Sequence, residues 1–220
     1  INTLAGVLVG ELVKALGLPK KGVYEAITRP LVWKPMVRFS KLAVQFEDLV
    51  VQQGWQRASD WFISHFVNSV DLIGQGTVPK RGPLIIASNH PGAYDSLVIS
   101  AKLPRSDIKI ISSPIPFLQQ FPFACDHLIF SNEDPYTRMG VLRKAIQHLR
   151  EGGALLVFAR GTIDPDPAYM PGTETELTRW SSSLGLMLRK VPESKLSIIM
   201  ISGILDPRFI DHPLTILRRS

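Results

Sequence analysis

Ala154 to Phe158, Ala-Leu-Leu-Val-Phe, contains no polar side chain, and so short and unbroken an apolar run reads as a strand buried on both faces. A strand of that kind needs helices above and below its sheet. The sequence supplies them. Leu84 to Ala87 is a second brief apolar run, fenced by Gly82-Pro83, and Ile108 to Ser112, Leu128 to Ser131 and Leu196 to Leu205 read as further strands, the last of them buried. Between them, Leu97, Val98, Ala101 and Leu103 recur at helical spacing from Asp95 onward. Val141, Leu142, Ala145, Ile146 and Leu149 form the apolar face of a helix over Thr137 to Arg150, which Gly152-Gly153 ends. Thr173 to Lys190 reads as another amphipathic helix. This alternation predicts an α/β fold: a mixed, largely parallel central sheet flanked by helices, with an N-terminal helical segment.

That segment covers residues 1–73, with helix breaks expected near Gly17-Leu18-Pro19, Arg29-Pro30 and Gly54. Trp55, Ala58, Phe62, Phe66, Val70 and Ile73 mark a stripe at helical period, expected to pack on the α/β body. The Gly- and Pro-rich stretch from Gly74 to Pro83 reads as a connection. It divides the chain into a helical segment, 1–76, and an α/β domain, 77–220.

Cys125 is the only cysteine, so an internal disulfide framework is excluded and a reducing compartment fits; beside Phe121 and Phe123 it reads as core filling. No His/Cys spacing suggests zinc. No apolar run reaches the roughly 18 residues that span a bilayer, and the start at Ile1 and stop at Ser220 read as trimmed ends. The net charge of +6 is uneven: residues 1–83 hold ten Lys/Arg against six Asp/Glu. From Lys20 to Lys41, Lys20, Lys21, Arg29, Lys34, Arg38 and Lys41 face only Glu25 and alternate with Tyr24, Trp33 and Phe39. Cations interleaved with aromatic rings suit an anionic membrane surface; a solvated basic face is the plainer reading. No nucleic-acid motif accompanies them.

Chemistry concentrates where the first strand stops. Pro91 lacks an amide proton and Gly92 accepts almost any backbone angle, so strand pairing ends there and leaves His90 at the sheet's C-terminal rim, with Asp95 opening the next helix. An imidazole can take a proton from an alcohol, and a carboxylate on its other nitrogen fixes the tautomer and stabilises the imidazolium. The amides from Gly92 and Ala93 to Tyr94, near a helix start, are candidates to face a developing oxyanion. The bland alternative is that Asp95 caps its helix and His90 is a polar strand end.

Asn89-His90-Pro91-Gly92-Ala93-Tyr94-Asp95 resembles the His-x4-Asp box of the glycerolipid acyltransferase family, which includes the glycerol-3-phosphate and lysophospholipid acyltransferases; the resemblance covers about Gly82 to Leu205. It implies transfer of a fatty acyl group from acyl-CoA or acyl-carrier protein, as co-substrate, to a hydroxyl of a glycerolipid-like acceptor. It further implies His90 as base, Asp95 as its partner, no metal or bound cofactor, and a peripheral position on the cytoplasmic side of a membrane. Phe158-Ala159-Arg160-Gly161-Thr162-Ile163 resembles the family's Phe-Pro-Glu-Gly-Thr-Arg block, so Arg160, Gly161 and Thr162 become candidates for the acceptor pocket.

Here Arg160 replaces the glutamate, Ile163 the usual arginine, and Asn132 the arginine expected after the third strand; the proline usual in the family's fourth block is missing from Leu196 to Leu205. Arg138 is a candidate to supply the missing charge, with a solvent-facing arginine as the alternative. Arg160 is expected either to bind phosphate or to pair with Asp164 or Asp166, which read as turn formers. These departures put a phosphate-bearing acceptor in doubt. Ser88 and Ser96 lack the Gly-x-Ser-x-Gly elbow of covalent serine enzymes. A thioester or ester hydrolase using the same pair, and a non-catalytic lipid-binding protein, remain as alternatives.

Overall fold

The computed structural model describes residues 1–17, 22–74, 78–132, 134–170 and 173–206. Leu18 to Lys21, which hold part of one expected helix break and of the basic stretch, and the boundary between residues 76 and 77 lie outside the described residues.

The apolar runs form strands β1 (Leu84–Ser88), β2 (Ile108–Ser112), β3 (Leu128–Phe130), β4 (Ala154–Phe158) and β5 (Lys195–Ile199). They make one sheet in the order β3-β2-β4-β1-β5, and every pairing is parallel. β1 lies between β4 and β5, with Ala87 level with Val157 on one side and Ile198 on the other. Leu84, Ile85 and Ile86 of β1 and Leu155 and Leu156 of β4 are fully buried. Side chains of this size contribute about 1.5–3 kcal/mol each when removed from water, so the centre of the sheet is the most strongly stabilised part of the fold.

Helices cover both faces. On one side α2 (Gly22–Gln53), α3 (Trp55–Ile63) and α4 (Asp95–Lys102) pack through Ala43, Phe46, Val50, Trp55, Phe62 and Ile99 onto Ile86, Ile110 and Leu156. α1 (Asn2–Ala15) lies against α2. On the other side α6 (Pro135–Arg150) and α7 (Ser183–Lys190) pack Ala145, Leu149 and Met187 onto Ile85, Leu155 and Val157; α5 (Pro122–Cys125) is a short turn before β3. The N-terminal helices therefore share one apolar core with the sheet. Among the described residues no helix is long and apolar enough to cross a membrane.

Several expectations are corrected. The break at Arg29-Pro30 is absent, because α2 runs through both Pro30 and Pro35. The carbonyls these prolines leave unbonded belong to Ala26 and Leu31, which are exposed, so water can satisfy them. The stripe after Trp55 is helical only to Ile63; beyond it Phe66 and Ile73 are exposed. The expected helix over Thr173 to Lys190 divides into a 3-10 helix, Thr173–Arg179, and α7. The strand after Leu196 is not buried either. β5 is an edge strand ending at Ile199, and Leu196 and Ile198 are 43% and 62% exposed.

Candidate active site

β1 ends at Ser88, and the next residues fix the turn that follows. Asn89, 4% exposed, accepts the Ile201 amide on Oδ1 at 2.7 Å and donates from Nδ2 to the Ile201 carbonyl at 2.8 Å. One side chain thus bonds both backbone groups of the residue and ties the segment after β5 to the end of β1. Ser88 is buried, with its hydroxyl bonded to the Asn89 carbonyl.

His90 and Asp95 meet. Nδ1 of His90 lies 2.8 Å from Oδ2 of Asp95. A carboxylate only accepts, so Nδ1 carries the proton and Nε2 is left as the basic nitrogen. The Asp95 side chain is fully buried and that of His90 is 28% exposed, so the acid is sealed and the imidazole opens to solvent. Phe158, at the end of β4, stacks on the imidazole at 4.1 Å between centroids and 17° between planes. Ring position is therefore set by the aromatic face and by the carboxylate together.

Asp95 does not cap its helix. Tyr94 holds the cap position, and Oδ2 of Asp95 accepts the Gly92 amide at 2.8 Å as well as the imidazole. Oδ1 is buried without a hydrogen-bond partner among the described residues. Burial holds the Asp95 carboxyl above the usual aspartate range, against the opposing effects of the His90 and Gly92 hydrogen bonds. The bond to Asp95 also corrects one expectation: the Gly92 amide is committed to a carboxylate and does not face an incoming oxyanion. Ala93 is exposed beside it.

The turn after β4 closes over this site in a way the sequence did not suggest. Asp164, 5% exposed, accepts the His90 amide on Oδ2 at 2.7 Å, and its own amide donates to the His90 carbonyl at 2.9 Å. Asp166, fully buried, accepts the amides of Ala168, Gly203, Ile204 and Leu205. Those bonds lay Ile204 on Gly92, so closely that a methyl group added at Gly92 would stand 2.8 Å from an Ile204 side-chain carbon. Asp164 and Asp166 are turn formers, as expected, and they also lock the His90 turn in place. Apart from Ala168 and Arg160, their partners lie 37 to 74 residues away, and no local pattern signals such pairing.

Arg160 points at carboxylates. Its Nη1 lies 3.4 Å from Asp164 and 3.1 Å from the Ile163 carbonyl, and its Nε lies 3.2 Å from Glu176. Of the two expected aspartates it pairs with Asp164, and Glu176 is an addition. Gly161 turns the chain at φ +80°, in the left-handed region that glycine favours, and Thr162 beside it is exposed. Arg138 lies elsewhere. It is exposed, bonds the Asn132 carbonyl at 3.2 Å, and follows β3, three strand spacings or about 14 Å from β1.

Among the described residues no group of three or more His, Cys, Asp or Glu side chains is placed to hold a metal ion. Two surface grooves lie away from the His90 turn. One, about 490 Å³, is lined by Arg143, Ile146, Gln147, Arg150 and Lys190. The other, about 320 Å³, lies between α1 and α2 and is lined by Asn2, Trp33, Lys34, Val37, Arg38 and Lys41.

Searches against curated proteins and against solved structures return no match. A family model described as Acyltransferase matches residues 69–202, a span that runs from the end of the helical segment through β5 and holds His90, Asp95 and Arg160. With more than half its length matched, the chain belongs to the acyltransferase family.

Proposed function

We propose that the protein transfers a fatty acyl group from an acyl thioester, acyl-CoA or acyl-carrier protein, to a lipid hydroxyl, with His90 as general base and Asp95 as its orienting partner. The observation that carries this reading is the 2.8 Å contact between Nδ1 of His90 and a sealed Asp95, with the His90 side chain partly exposed. In the reaction Nε2 takes the acceptor's hydroxyl proton as the oxygen attacks the thioester carbonyl. The tetrahedral intermediate collapses, the carbon–sulfur bond breaks, and the leaving thiolate takes the proton back from the imidazolium. Asp95 stabilises that imidazolium while it exists. No metal or bound cofactor is required for these steps.

The acceptor sits over the Arg160-Gly161-Thr162 turn, where an exposed hydroxyl and a glycine leave room for a polar group. Beside the site, Tyr94 stacks on Phe66 at 4.7 Å, and Ile204, Val67, Val70 and Leu97 continue an apolar surface suited to an acyl chain. The groove between α1 and α2 carries the exposed cations Lys34, Arg38 and Lys41 beside Trp33, over which Arg29 lies at 4.3 Å. This face meets anionic headgroups and holds the enzyme on the cytoplasmic side of a membrane.

The experiment that tests the reading follows radiolabelled acyl-CoA with and without hydroxyl lipids. The reading predicts an acylated lipid and thioester cleavage that rises with acceptor concentration. Cleavage indifferent to every alcohol offered would show a hydrolase instead.

A further inference from the structure

We propose that the acceptor is an uncharged hydroxyl lipid of the monoacylglycerol type and not a phosphate-bearing one. The proposal rests on the acyl-transfer reading above and concerns the class of alcohol that reaches Nε2 of His90. Its basis is the distribution of charge around the catalytic turn. Among the described residues, the contacts at this turn gather the carboxylates of Asp95, Asp164, Asp166 and Glu176 with two guanidinium groups, that of Arg160 set against Asp164 and Glu176 and that of the exposed Arg179 against the other oxygen of Glu176. Even with Asp95 set against its own imidazole, the three carboxylates of Asp164, Asp166 and Glu176 outnumber the two guanidinium groups by one. An incoming phosphate would enter a field of its own sign.

Arg160 is not held in reserve for that phosphate. Its guanidinium is bonded on Nη1 to Asp164 and to the Ile163 carbonyl, and its Nε lies 3.2 Å from a Glu176 oxygen as an ion pair. Taking it for a phosphate would strip Asp164 of its counter-ion, and Asp164 is the residue that bonds both backbone groups of His90. Binding a charged acceptor would therefore disturb the base it needs. Arg138, the other candidate, follows β3 and is bonded to Asn132. On the opposite flank the surface is apolar, with Tyr94, Phe66 and Ile204, which suits the chain of a neutral glyceride.

The reaction balances without any further reactant: the glyceride O–H proton passes through His90 to the departing thiolate, an ester C–O bond forms, and the thioester C–S bond breaks. Two acceptors that differ only in the phosphate, monooleoylglycerol and oleoyl lysophosphatidate, are assayed with oleoyl-CoA in mixed micelles. The neutral acceptor is expected to show a kcat/KM about tenfold or more higher. Arg160→Ala is expected to leave that preference in place, and Glu176→Gln, which frees the guanidinium from one partner, to narrow it. Equal or better use of lysophosphatidate, or a loss of lysophosphatidate use alone in Arg160→Ala, would overturn the assignment of acceptor class. Transfer to neither acceptor would overturn the acyl-transfer reading, and this proposal with it.

Discussion

His90 and Asp164 are joined by reciprocal hydrogen bonds: the His90 amide donates to the Asp164 carboxylate at 2.7 Å, and the Asp164 amide donates to the His90 carbonyl at 2.9 Å. The imidazole is held by Phe158 and Asp95, but the backbone that carries it is held by a residue from the turn after β4. In the proposed reaction Asp164 would be a positioning residue, acting only through His90.

Replacing that carboxylate should separate positioning from binding. Asp164→Ala leaves the His90 amide without its acceptor, a loss on the order of 1–3 kcal/mol for a buried group. A small displacement of the base then lowers kcat by about 10- to 100-fold, while KM for acyl-CoA stays within about twofold. Asp164→Asn keeps an oxygen in place and should recover most of kcat. Steady-state kinetics on the two variants, beside their melting temperatures, checks this; activity that merely follows the folded fraction in both would contradict a positioning role.

Asp95→Asn should keep the site's shape and lose its chemistry. Both hydrogen bonds to Asp95 fall on Oδ2, so an amide oxygen at that place can still accept from His90 and Gly92. Without the negative charge the imidazolium loses its partner, and acyl transfer should fall about 100-fold or more.

The same substitution has a pH signature. Burial raises the folded-state pKa of Asp95 above its unfolded value, so the native state holds the proton more tightly than the unfolded chain. The stability this contributes is present below the ordinary aspartate pKa of about 4 and is lost as pH rises through the raised value. Asp95→Asn should be as stable as the wild type or more so at neutral pH and should lack this dependence. Denaturant titrations of both proteins across that range measure it.

How much of this was legible beforehand depends on how local the determinants are. Leu84 to Ser88 and Ala154 to Phe158 announce themselves because burial on both faces leaves no polar alternation, and His90 and Asp95 share one turn whose proline and glycine end the strand. Asp164 and Asn89 are a different matter. Their partners lie 74 and 112 residues along the chain, and a buried aspartate beside prolines looks the same in sequence as one at a solvent-facing turn. The edge position of β5 was hidden for a related reason: Leu196 and Ile198 are as apolar as the central strands, and only strand order reveals that one side has no neighbour among the described residues. Pro30 misled because its cost depends on whether the freed carbonyl reaches water, a property of the packed helix.

Gly92 is expected to tolerate no side chain while Ile204 is present. A methyl group there would lie 2.8 and 2.9 Å from two Ile204 side-chain carbons, so Gly92→Ala should destabilise the protein by about 1–3 kcal/mol. Ile204→Ala in the same chain should recover much of that loss. Thermal unfolding of the single and double variants measures the coupling.

The groove between α1 and α2 yields a prediction for membrane binding. Reversing Lys34, Arg38 and Lys41 to Glu removes three exposed cations, each worth about 1 kcal/mol near an anionic surface. Affinity for phosphatidylserine vesicles should fall on the order of 100-fold at low salt, and less at high salt. Co-sedimentation at two ionic strengths distinguishes this from a solvated face that lipid never meets.

The most direct measurement is acyl transfer by His90→Ala, made beside a circular dichroism spectrum and a vesicle-binding curve for the same preparation. His90→Ala should be a folded protein that binds membranes as the wild type does and forms no acylated lipid above background. Turnover at the wild-type rate would contradict the general-base role, because the imidazole could then not be the group that takes the acceptor's proton.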